Sequence, residues 1–340
     1  MSNSHAPLKV SNLNKHYGSF AVLKELNLEV IEGAVHGLVG LNGSGKTTTL
    51  ECILGMQAFD SGHIKVLGHK PSQLYEARGG IVSIFDSPSL NPNLTVRQVL
   101  EHARILCDKP ARRPEEVEQL LGISQYSKFR IQHLSLGNRR RASIAQALIG
   151  RPAFIILDEP FNGLDAGGVE DVLALISRLN REEGTAFLLS SHQLPYLEQI
   201  CSHMAILHKG QIVVSDKVDT LFKIRHTSVI IRCEQQEKAL QLLSGNPDLQ
   251  VISEHDPVDG IRVHPGRISS AEINRILVAN GISVSELIIE RPSLTSLFHE
   301  ITGTDTANGF TTASGANNAA GASTAAGAGS VAGADMGAAA

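Results

Sequence analysis

A chain of 340 residues, 42% hydrophobic and 19% charged, has the composition of a globular protein long enough to bury two cores. Its net charge of −4 gives no electrostatic reason to expect nucleic acid as a partner. Cys52, Cys107, Cys201 and Cys233 are scattered with no C-x-x-C, which argues against a zinc site or disulfide framework and fits a reducing compartment. The opening MSNSHAPLKV lacks the apolar core of a signal peptide, and nowhere do eighteen apolar residues run together. Any work at a membrane is therefore expected to need a partner that supplies the membrane part.

In chain order, Leu8 to Val10 reads as a strand, and Val22 to Val30 alternates apolar and polar as a half-buried strand does. Val35 to Val39 is a short apolar strand. It runs into Gly40-Leu41-Asn42-Gly43-Ser44-Gly45-Lys46-Thr47-Thr48, followed by a helical stretch that stops at Gly55. Strand, glycine-rich loop and helix together turn the pattern G-x-x-x-x-G-K-T into a phosphate site. Gly40, Gly43 and Gly45 are expected at positive φ, bringing backbone N–H groups close to an anion. Lys46 is placed to reach the β- and γ-phosphates, and the Thr47 hydroxyl to ligate Mg²⁺. The helix N-terminus adds its unpaired amides.

A hairpin is expected over Gly62 to Gly68, and a strand over Ile81 to Phe85 that ends at Asp86. Thr95 to Gln98 has capping-box form, and helical spacing continues to about Ile149. Phe154 to Leu157 is an apolar strand ending in Asp158 and Glu159, two acids set beside the phosphates at a carboxyl edge. Thr185 to Ser191 is a third such strand, and it ends at His192. Of the fourteen histidines, this is the one read as functional; solvation or ordinary packing accounts for the others.

At Leu134-Ser135-Leu136-Gly137-Asn138 the sequence resembles one family, the nucleotide-binding subunits of ATP-binding-cassette (ABC) transporters, whose signature is LSGGQ. Tyr17 sits where that family stacks an aromatic on adenine. Gly40 to Thr48 matches the Walker A loop, Ile155 to Pro160 the Walker B strand, Asp165 the D-loop and His192 the switch histidine. The ordered set covers roughly residues 8–217. It implies a P-loop α/β fold with a mixed core sheet, an antiparallel β subdomain and a helical subdomain. It also implies ATP and Mg²⁺ as ligands and a head-to-tail dimer of two copies with two ATP molecules between them. In that dimer Leu134 to Asn138 would act in trans, with Ser135 and Gly137 on the partner's γ-phosphate. Asp158 would hold Mg²⁺ through water, Glu159 would polarise the attacking water, and His192 would steady the γ-phosphate. Asp165 would shape the dimer interface.

Three positions depart from the pattern. Asp86 replaces the Q-loop glutamine, with Mg²⁺ contact as its expected role, and Leu136 and Asn138 replace glycine and glutamine in the signature. An acidic Q-loop with an S-L-G signature resembles the drug- and bacteriocin-resistance exporter branch. That implies a transport ATPase on the cytoplasmic face of the membrane, peripheral to a separately encoded permease, with no nucleic acid partner. The alternatives are a soluble ABC ATPase acting on DNA or the ribosome, and an ATPase of a copper-maturation or gliding-type system. One phosphate loop and no heptad run weigh against the soluble one.

The segments divide as 1–225 for the ATPase, 226–303 for an accessory βαββαβ unit of ferredoxin-like form, and 304–340 for a Gly/Ala-rich tail. The tail's composition buries too little apolar surface to order itself.

Overall fold

The computed structural model describes residues 6–86, 89–223, 227–253, 260–266, 268–290 and 293–303. The expected tail at 304–340 lies outside them.

A six-stranded sheet forms the centre: β5 (Ile81–Ile84), β6 (Phe154–Asp158), β7 (Ala186–Ser191), β3 (Val35–Val39), β8 (His203–His208) and β9 (Gln211–Lys217), in that spatial order. All neighbours are parallel except β8 and β9, which are antiparallel. Every residue of β3, β6 and β7 is buried, as their mostly apolar runs require of strands covered on both faces. Alternation sorts their side chains. Val35, Val39, Ile155, Leu157, Phe187 and Leu189 join one core, while Leu38, Phe154, Ile156, Ala186 and Leu188 join the other.

The second of these cores is closed by an antiparallel sheet of order β2 (Phe20–Val30), β1 (Leu8–Tyr17) and β4 (Ser61–Val66), together with α1 (Lys46–Ile53). The stretch expected as a hairpin, Gly62 to Gly68, is instead a single strand ending in a tight turn. β4 pairs with β1, a partner about fifty residues away that local turn signals do not announce.

The other core is closed by helices: α2 (Val96–Leu106), α3 (Pro114–Leu120), α4 (Leu136–Ala147), α5 (Ala166–Glu183), α6 (Leu194–Ile200) and α7 (Val218–Lys223). Thr95 caps α2 in the expected capping box with Gln98. Between α2 and α3 the buried Glu118 accepts from Arg97 Nε at 2.8 Å and Nη2 at 2.7 Å, and from Ser127 Oγ at 3.0 Å.

The C-terminal unit has element order β10 (Ser228–Cys233), α8 (Gln236–Ser244), β11 (Gln250–Ser253), β12 (Ile261–His264), α9 (Ser270–Ala279) and β13 (Val284–Glu290). Its sheet order is β11-β12-β10-β13 with every pair antiparallel. Its own core is Val229, Ile231, Leu243, Val263, Ile273, Leu277 and their neighbours.

The last helix, α10 (Leu294–Thr302), departs from the expected division of the chain. Leu294 and Phe298 are buried in the core of the N-terminal body, with Leu297 and Ile301 packed against it. The spacing i, i+3, i+4, i+7 makes one apolar face, and α6 is among the elements it meets. The backbone N–H of Leu294 donates to Glu198 Oε2 at 3.4 Å. The chain thus leaves the N-terminal body for one small sheet and returns to it.

Candidate active site

The site gathers at the carboxyl ends of three neighbouring strands, β3, β6 and β7. β3 delivers the loop of Gly40 to Gly45, and α1 starts at Lys46. Gly43 and Gly45 have φ of 80° and 107°, left-handed values that favour glycine. Gly40 does not take positive φ as expected; its reason is space. A Cβ there would lie 2.6 Å from the Leu207 carbonyl oxygen. Gly45 is the N-cap of α1 and offers no side chain to its amides, so these are open to an outside acceptor.

Lys46 is buried, and its Nζ donates to the Gly40 carbonyl at 2.8 Å and lies 3.7 Å from Glu159 Oε1. Burial holds its pKa below the ordinary lysine value, although Glu159 and Asp158 pull the other way. Ser44 Oγ is buried and without a hydrogen-bond partner. An orphaned hydroxyl, a buried ammonium and open helix amides converging on one loop are the donor set a polyphosphate satisfies.

β6 delivers Asp158 and Glu159. The Asp158 carboxylate accepts from Ser190 Oγ, and Thr47 Oγ1 donates to its Oδ2 at 3.5 Å. Burial raises the Asp158 pKa, opposed by the Ser190 hydrogen bond and by Lys46. Among the described residues no group of three or more His, Cys, Asp or Glu could hold a metal. One hydroxyl facing one carboxylate suits Mg²⁺, which keeps waters and takes further oxygens from phosphates.

Glu159 sits at φ 47°, a left-handed value that costs a residue other than glycine about 1–2 kcal/mol. Its carboxylate is held by β7 and the residue after it: Ser191 Oγ donates to Oε2 at 3.0 Å, and His192 Nδ1 lies 2.9 and 3.0 Å from the two oxygens. Glu159, His192, Lys46, Asp158 and Thr47 therefore form one cluster.

The remaining expected residues lie around it. Tyr17, half exposed, carries Lys15 Nζ 4.8 Å from its ring centroid. Leu41 is also exposed. Ser135 is the N-cap of α4, its Oγ accepting from Asn138 N at 3.3 Å, and Leu134 is buried behind it. Leu136 is exposed and covers Gly163, where any Cβ would collide with it; Gly137 is close to Leu164. Asp165 caps α5, accepting from Gly168 N at 2.9 Å. Asp86 Oδ1 accepts from Arg140 Nη2 at 3.0 Å and from Asn162 Nδ2 at 3.3 Å.

Sequence reasoning passes over Ser190 and Ser191 as strand ends, and over Arg140 and Gln193; it places Asn162 in the D-loop with Asp165 but gives it no contact. Gln193 Nε2 donates to Asn162 Oδ1 at 2.9 Å, so these residues continue the network from Asp86 toward His192. The signal for Arg140 was the run Arg139-Arg140-Arg141. Three consecutive residues on a helix spread through 200°, so one of them is turned inward.

Comparison with known proteins agrees with this geometry. The family described as ABC transporter matches residues 23–162. A bacitracin transport ATP-binding protein of Bacillus licheniformis is 32% identical over 88% of this chain and 98% of its own length. An ABC transporter ATP-binding protein of Bacillus subtilis is 34% identical over 89% and 97%. A solved ATP-binding subunit of an ABC transporter superposes with TM-score 0.59 at 27% identity, covering 64% of this chain and 92% of that one. A dimeric cassette bound to ADP and Pi superposes with TM-score 0.57 at 24% identity, a likeness of fold. This chain belongs to the ATP-binding subunits of the ABC transporter family.

Proposed function

We propose that this ABC ATPase is the motor of an exporter, in which two copies hydrolyse ATP at shared sites and drive a separate membrane permease from its cytoplasmic face. The observation that carries the chemistry is the Glu159 carboxylate, gripped by Ser191 and His192 and set 3.7 Å from Lys46. Lys46 shares its ammonium between its own loop and Glu159. A bound triphosphate offers it stronger anionic acceptors, so Lys46 turns to the phosphates and leaves Glu159 free to accept a proton from water. Gly40 to Thr48 wrap the phosphates, and Tyr17 provides the adenine platform. Thr47 and Asp158 would hold Mg²⁺, which neutralises charge on the phosphate oxygens. His192 orients Glu159 and steadies the γ-phosphate.

Ser135, Gly137 and the rest of Leu134 to Asn138 serve the partner copy's ATP, with Asp165 at the interface. Exposed Leu136 at the start of α4 supports this, since it stands open where a second copy would close. Relatives named for bacitracin transport, matched along nearly their whole length, support the exporter reading. A cavity of about 430 Å³ between β5, α2 and α4 supports the permease contact. Phe85, Ser89, Leu90 and Leu106 line it, and Leu106 is exposed.

The test is steady-state hydrolysis by the purified chain. Glu159→Gln should keep ATP binding and lower kcat by about a hundredfold or more. Turnover near wild type removes Glu159 from the role of base.

A further inference from the structure

Arg140 lies on α4, five residues after Ser135, and is 2% exposed. Burying a guanidinium is costly unless its donors are met, and an apolar side chain would fill the same space without that cost. Its donors go to three acceptors in two other segments. Nη2 donates to the Asp86 carbonyl at 2.6 Å and to Asp86 Oδ1 at 3.0 Å, while Nη1 donates to the Glu159 carbonyl. Nε has no partner. Two of the three acceptors are backbone oxygens, so the guanidinium fixes where the chain runs as well as where a side chain points.

The residue so fixed is the strained one. The left-handed backbone of Glu159 is pinned on both sides. Its N–H donates to the Ser190 carbonyl at 2.8 Å, and its carbonyl accepts from Arg140 and from Asn162 N at 3.2 Å. Asp86 is the counter-anchor. It holds the far side of the guanidinium and, through Asn162 and Gln193, reaches the residue next to His192.

We propose that Arg140 is a positioning residue for hydrolysis: braced on Asp86, it holds the Glu159 backbone so that the carboxylate stays on Ser191 and His192 beside the phosphate loop. This rests on Glu159 being the base. The acidic residue that replaces glutamine at position 86 thereby acts as the ionic partner of Arg140, and its influence on Glu159 passes through that guanidinium. Because Arg140 touches none of the phosphate-loop groups, its loss acts on kcat and leaves the ATP KM in place.

The experiment measures kcat and KM for Mg-ATP in wild type, Arg140→Gln, Arg140→Lys, Glu159→Gln and the double variant Arg140→Gln/Glu159→Gln. Arg140→Gln is expected to lower kcat by about tenfold or more with KM within about twofold. Arg140→Lys, which keeps the cation for Asp86 but cannot bridge to Glu159 as a fork, falls between. The double variant turns over no more slowly than Glu159→Gln, since no base is left to position. The proposal is overturned by a wild-type kcat in Arg140→Gln, or by a double variant about tenfold slower than Glu159→Gln. Should Arg140→Gln fail to fold, Arg140→Lys decides: a fall of about threefold or more at unchanged KM supports the brace, and wild-type kcat overturns it. Wild-type turnover in Glu159→Gln would instead remove the base itself and the brace with it. That result is read without reference to Arg140, so the two failures are distinct.

Discussion

What the phosphate end of the sheet buries differs in kind from what the C-terminal sheet buries. At the ends of β3, β6 and β7 the interior holds Lys46, Asp158, Arg140, Ser44, Ser190 and Ser191. Among the described residues of β10 to β13 and their helices, Ser228 is the buried polar residue, and the rest of that core is aliphatic with Cys233 and Ala239. Buried polar groups cost free energy unless satisfied, and an apolar core holds a fold together without them. The phosphate end thus buries groups arranged for a ligand, and the described interior of the C-terminal unit is almost wholly apolar. The two are joined by α10, whose Leu294 and Phe298 are set into the ATPase core next to α6, the helix that follows His192.

Substitutions on each side should break in different ways. Lys46→Ala removes the cation that meets the phosphates, so ATP hydrolysis by the folded chain should fall by about a hundredfold or more. It also leaves the buried Glu159 carboxylate without its ion-pair partner, so the melting temperature should fall as well. Turnover near wild type would remove Lys46 from the phosphates. Phe298→Ala, at the junction, should cost about 3–5 kcal/mol in denaturant unfolding, because its ring is buried in the ATPase core, where α10 packs on α6. A loss below about 1 kcal/mol would show α10 to be a loose strap. Ile231→Ala, in the centre of the C-terminal sheet at 0% exposure, should cost about 2–5 kcal/mol. It should leave kcat at low temperature within about twofold, where Lys46→Ala stops turnover in the folded chain.

The smallest effect is conditional on pH. His36 lies in β3 beneath the phosphate loop, stacked on His203 at 4.8 Å between ring centroids, with neither ring nitrogen paired. Burial, and secondly His203, lower its pKa from 6.5 to about 4. The unfolded chain takes up a proton near pH 6.5 that the folded chain refuses until about pH 4, so stability falls as pH drops through that window. The loss amounts to about 3 kcal/mol by its lower end. His36→Leu should flatten this part of the profile without loss at pH 7. An unchanged slope would place the titration elsewhere.

The phosphate loop was legible because its fixed letters answer local backbone needs: Gly43 and Gly45 stand where φ is positive, and Lys46 opens α1. The buried strands were legible from their apolar runs, and α2 from Thr95 and Gln98. Gly40 was recognised for the wrong reason, since its need is set by Leu207 of a distant strand. The Arg140–Asp86 pair joins residues 54 apart, and helix phase alone could not say which of three arginines turns inward or what it meets. The apolar face of α10 was present in the sequence, but a face names no partner, and its return to the ATPase core is a tertiary choice.

In the proposed dimer, hydrolysis takes one copy's phosphate loop and the other copy's signature. Ser135→Arg, placed at the start of α4, should leave ATP binding by the single chain unchanged and stop hydrolysis, and Lys46→Ala should be inactive alone. Equimolar mixing forms heterodimers in which one site keeps an intact Lys46 and an intact Ser135. Activity should then recover to about a quarter of the wild-type rate per chain. A mixture as inactive as its two components, although shown to form heterodimers, would contradict a site shared between copies.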